Sequence, residues 1–101
     1  MVSMRFEYKK DCIKITAHYG SSFSGNIIDN NKLKEVADKH GLELIIAPFD
    51  PNIYFLRDID ENPIAIIDEA FYRDKEEKGA TIVIESFRHL LLEDILAIFK
   101  D

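Results

Sequence analysis

The chain has 101 residues, 47% of them hydrophobic and 32% charged, with a formal net charge of −6. That length predicts one domain burying roughly 60–70% of its unfolded surface, and the composition excludes a disordered chain. A single cysteine, Cys12, excludes an intramolecular disulfide and fits a reducing, cytoplasmic setting, and no apolar run nears the ~20 residues that cross a bilayer.

The charge is uneven. Residues 1–40 carry seven Lys/Arg against five Asp/Glu, a balance of +2, whereas residues 41–101 carry six against fourteen, a balance of −8. The negative excess repels phosphate backbones and disfavours direct nucleic-acid binding. It still leaves room for a local basic face of Arg5, Lys9, Lys14, Lys32, Lys34 and Lys39. Residues Met1 to Glu7 hold no apolar signal core, and no membrane association is expected.

Met4, Phe6 and Tyr8 alternate with Arg5, Glu7 and Lys9, the period-two pattern of a half-buried strand. Cys12 to His18 repeats it, with Ile13, Ile15 and Ala17 on one side, so the two form an antiparallel hairpin. Tyr19 to Asn26 is a breaker-rich loop. Asp29, Asn30 and Asn31 supply candidate N-caps for a helix through Lys39, with Leu33, Val36, Ala37 and His40 on its apolar stripe, Glu35–Lys39 as an outward i,i+4 pair, and Gly41 as its stop.

Leu42 to Ala47 is a strand ended by the turn between Pro48 and Pro51. Ile53 to Ile59 and Ile64 to Ala70 flank Asp60 to Pro63 as a second hairpin, and Arg73 to Gly79 is a charged loop. The chain closes with the strand Ala80 to Glu85 and a helix from Phe87 to Phe99, whose polar stripe is Ser86, His89, Glu93 and Lys100. The order β-β-α-β-β-β-β-α with short connections predicts a single α+β domain over 1–101, a mainly antiparallel sheet packed on a long apolar C-terminal helix.

Several patterns invite a chemical reading. Asp58, Asp60, Asn62 and Glu69 fall at positions 1, 3, 5 and 12 of an EF-hand loop. Against it, position 6 needs φ > 0 and holds Pro63, and the flanks are strand-like. Asp58 and Asp68 on paired strands suggest the carboxylates of a metal-dependent nuclease, but lie at different distances from the turn with no Lys beyond Asp68-Glu69. Gly20-Ser21-Ser22-Phe23-Ser24-Gly25 lacks the Gly-Lys-Ser/Thr ending of a phosphate loop. His18, His40 and His89 sit on three different elements without a local ligand pair, and Cys12 reads as a small buried hydrophobe. The aromatics show no basic interleaving of the kind that stacks bases.

No catalytic set, metal site or cofactor is therefore expected. The reading that remains is a small acidic protein–protein interaction module, a homodimer acting by binding. The helix Phe87–Phe99 has more apolar circumference than one sheet face covers, which assigns Leu92, Ile95, Leu96 and Phe99 to an interface and Leu91 and Ile98 to the core. The alternative is an acidic regulator, a nucleic-acid mimic that presents Asp58, Asp60, Glu61, Asp68 and Glu69 to a basic protein partner. A second alternative is a metal-dependent enzyme built on Asp58, Asp60, Asp68 and Glu69.

Overall fold

Alternating side chains in the first twenty residues dictate a hairpin, and the computed structural model, which describes residues 3–20, 25–72 and 77–99, contains it. Strand β1 (Ser3–Tyr8) pairs antiparallel with β2 (Cys12–Gly20), with Tyr8 opposite Ile13 and Met4 opposite Ala17. Four further strands form a meander: β3 (Glu43–Ile46), β4 (Ile53–Arg57), β5 (Pro63–Tyr72) and β6 (Glu77–Glu85). Pairing of β2 with β6 joins hairpin and meander into one six-stranded antiparallel sheet in the order β1-β2-β6-β5-β4-β3. With helices α1 (Asn30–Lys39) and α2 (His89–Ala97) it makes a single α+β domain.

Register carries two apolar rows straight across the sheet. Ile15, Ile82, Ile67 and Tyr54 are successive partners, as are Ile13, Ile84, Ala65 and Leu56, and all eight are buried. Both helices lie over this face, adding Leu33, Val36 and Ala37 from α1 and Leu91, Leu92 and Ile95 from α2 to the same core. Each fully buried Ile or Leu here stabilises the fold by about 1.5–3 kcal/mol relative to exposure. A register shift at Leu56/Arg57 explains why the neighbours Ile64 and Ala65 are both buried, against strict alternation.

The end of α1 follows its chemistry. The Asp29 side chain accepts a hydrogen bond from Asn31 N–H at 2.8 Å, and Gly41 takes φ +68° just beyond the last turn. Lys39, expected to pair with Glu35, instead reaches Asp94 of α2 at 3.0 Å, and the i,i+4 pair of α1 is Lys34–Asp38 at 3.6 Å.

The C-terminal helix is short rather than long. It starts two residues after Phe87, because Ser86 and Phe87 turn the chain and Ser86 N–H is held by the Asp11 carbonyl. It ends at Ala97, and Phe99 then makes an isolated bridge to Ile28. Strand β6 begins at Glu77, three residues earlier than expected. The expected loops fall partly on residues 21–24 and 73–76, which lie outside the described residues, as does Lys100 of the expected polar stripe.

Candidate functional site

The acidic residues singled out by the sequence do not form one site. Asp58 is consumed by its own hairpin: Oδ1 accepts from Asp60 N–H and Asn62 N–H, both at 2.9 Å, and Oδ2 from Asn62 Nδ2 at 3.1 Å. These bonds, the Asn62 side chain first, hold its carboxyl below the usual range. Asp60 and Glu61 are exposed at the tip, where Glu61 adopts φ 65°. Strand alternation then separates the last two. Asp68 lies on the sheet face opposite the helices, whereas Glu69 lies on the helix side, its Oε1 accepting from Ile28 N–H at 2.9 Å. Among the described residues no three His, Cys, Asp or Glu side chains gather as a metal site.

The histidines and Cys12 are equally dispersed. His18 is half-buried on β2, His89 is exposed at the start of α2, and His40 caps α1 with Nε2 2.7 Å from Asp94 Oδ2. That contact, followed by Lys39, keeps the Asp94 carboxyl below its ordinary range. Cys12 is half-buried and stands in register with Glu85.

A polar cluster that the sequence did not reveal fixes the start of α1. Tyr54 is buried in β4, with the Asn30 side chain near its hydroxyl. Burial, then the nearby Glu69 charge, push its pKa up. Asn30 Oδ1 is itself buried without a hydrogen-bond partner. With Glu69 on Ile28 N–H, these contacts tie the segment before α1 to β4 and β5. Their partners lie far apart in the chain, so only the sheet register brings them together.

The division of α2 into core and interface needs correction. Leu92, Ile95 and Phe99, expected at an interface, are buried within the single chain, and Leu96 is partly buried against the same core. Leu91 is buried, and Ile98 packs on the core at its margin. The exposed apolar side chains here are Phe87 and Leu90, at 70% and 72%. The reason is geometric: α2 sits beside α1 over a broad sheet, so two of its sides are covered rather than one.

Among the described residues, Ile46, Phe49 and Ile59 are also exposed, and two broader apolar surfaces are present. On the open face, Ile45, Phe55, Ile66 and Val83 are successive cross-strand partners and all half-buried. A shallow hollow lies at its β3–β4 end, lined by Ile45, Phe55, Arg57, Glu61 and Pro63. Arg57 there is engaged by Glu43 at 3.1 Å and Glu61 at 3.8 Å. The second surface is β1. Phe6 and Tyr8 lie on the helix side by register, yet are 42% and 74% exposed, with their rings stacked 6.4 Å apart at 15°.

No described helix is long and apolar enough to cross a membrane. Comparison with protein-family models, with curated proteins and with solved structures returns no match.

Proposed function

We propose that the chain is a protein–protein interaction module that works by binding, as a homodimer. One observation supports this most: β1 is an edge strand whose helix-side aromatics, Phe6 and Tyr8, stay 42% and 74% exposed. An edge strand with apolar side chains favours pairing with another chain, because its outward backbone groups and its side chains both gain partners. Sedimentation equilibrium across a wide concentration range tests it. A mass that rises from monomer towards dimer is expected; a strict monomer at the highest concentration overturns the reading.

A basic protein partner is the second reading, and Asp68 favours it. Burial on the open face, then the charge of Asp50, push the Asp68 carboxyl above its ordinary range. An arriving Lys or Arg relieves that repulsion, and the exposed Asp60 and Glu61 add to the attraction. Binding of a polybasic peptide that weakens steeply with added salt is the expected result; binding indifferent to salt counts against it.

A further inference from the structure

The free edge of β1 is self-complementary about a two-fold axis. Lys9 N–H donates to the Cys12 carbonyl at 2.9 Å, and the register runs back from Tyr8 opposite Ile13 to Ser3 opposite His18. Residues in an antiparallel ladder turn their backbone groups alternately towards and away from a given neighbour. Lys9, Glu7, Arg5 and Ser3 therefore bond to β2, while Tyr8, Phe6 and Met4 direct N–H and C=O groups at the outer edge. Their side chains lie on the helix side, and Arg5 and Glu7 lie on the open face, 3.5 Å apart as an ion pair.

We propose that two copies of the chain pair antiparallel through β1 about an axis at Phe6, merging two six-stranded sheets into one. This rests on the homodimer reading above. With the axis there, the outward backbone groups of Met4, Phe6 and Tyr8 meet their counterparts. Phe6 faces Phe6 of the partner subunit, and Met4 faces Tyr8 of the partner subunit. Arg5 stands opposite Glu7 of the partner subunit, and Glu7 opposite Arg5 of the partner subunit. These last are non-hydrogen-bonded pairs, the closer kind, with Cα atoms about 4.5 Å apart.

Registers centred on Arg5, Glu7, Tyr8 or between residues lose this fit. An axis at Arg5 sets arginine against arginine, and one at Glu7 sets glutamate against glutamate. An axis between residues opposes outward to inward backbone groups and forms no ladder. An axis at Tyr8 carries the pairing beyond β1 into the turn at Lys10 and Asp11. The contact is a single six-residue strand pair, at the low end of interface sizes, so association falls in roughly the micromolar range.

Charge reversal and cross-linking test the arrangement. Arg5→Glu places like charges opposite at two symmetric positions and weakens dimerisation by roughly ten- to a hundredfold, and Arg5→Glu with Glu7→Arg restores it. Circular dichroism of each variant checks that the monomer keeps its fold. Phe6→Cys in a Cys12→Ser background puts two thiols on the axis, about 5.5 Å apart between Cα atoms, within disulfide reach. Mild oxidation is expected to give a covalent dimer from it, and none from Ser3→Cys in the same background. A wild-type dimer that ignores the charge reversal and yields no Phe6→Cys cross-link overturns this pairing but leaves the homodimer reading standing. A strictly monomeric wild type overturns both.

Discussion

The two edges of the sheet are built differently. Strand β3 is four residues long, lies beneath α1, is flanked by buried Leu42 and Ala47 although its own Ile46 stays 46% exposed, and runs into Pro48, which has no N–H to offer a new strand. Strand β1 is six residues long, contains no proline, and leaves Tyr8 mostly exposed and Phe6 partly so. Simple dimensions leave both edges thinly covered. Six strands each about 4.8 Å wide span about 29 Å, while two packed helices 8–10 Å apart cover about 20 Å. The shortfall shows at Phe6 and Tyr8 of β1 and, less, at Ile46 of β3. The asymmetry leaves β1 as the longer, proline-free edge, the one proposed above to recruit a second copy.

The largest expected effect comes from removing the cover on the β3 edge. Leu33 is fully buried on α1, so Leu33→Ala should destabilise the fold by about 2–5 kcal/mol, read from denaturant unfolding. Hydrogen exchange in β3 should speed up ahead of that in β2 and β6 if α1 is what covers this edge. Equal acceleration throughout the sheet would mean that the cover does not act locally.

A smaller effect concerns the clasp between the helices. Asp94 accepts from His40 and pairs with Lys39, and its carboxyl titrates below the ordinary value near 4. A folded pKa below the unfolded one means that the clasp contributes fully above the unfolded value and is lost as pH falls through the folded value. Asp94→Asn should therefore lower the thermal midpoint at neutral pH by less than Leu33→Ala, and flatten the acid limb of its pH dependence. The difference from wild type should shrink in high salt, since the clasp is partly exposed. A variant whose acid limb matches the wild type would remove Asp94 from the account of the α-layer.

Local chemistry made much of this legible. Alternation at Met4–Tyr8 and Ile13–Ala17 specified the first hairpin and Gly41 the end of α1, because each signal depends on neighbours in the chain. The second hairpin was legible too, but its turn runs Asp58 to Asn62, two residues earlier than the expected start at Asp60, with Pro63 opening β5. The faces of α2 were not legible. Seven of its nine residues, His89 and Asp94 aside, include only one more charge, Glu93, so the sequence offers little polarity to orient it. Tertiary packing chose Leu92 and Ile95 for the core and left Leu90 outside. The partner of Glu69 was not legible for a related reason. The spacing of Glu69 from Asp58 fits a calcium loop, but strand alternation and the Ile28 amide, forty-one residues away, claim that side chain for the start of α1.

The smallest expected effect on the monomer is the most informative about β1. Tyr8 is 74% exposed, so Tyr8→Ala should change the unfolding free energy of dilute protein by no more than about 0.5 kcal/mol. The same change removes the ring stacked on Phe6 and the side chain that faces Met4 across the proposed axis, so association should weaken several-fold while the fold is untouched. Stability that depends on protein concentration in the wild type and less so in Tyr8→Ala is the signature, since anything that binds only the folded chain raises its apparent stability by mass action. A loss of the size expected for Leu33→Ala would instead mean that Tyr8 is covered within the monomer. The two edges would then be equally covered, and the reason for β1 to recruit a second copy would disappear.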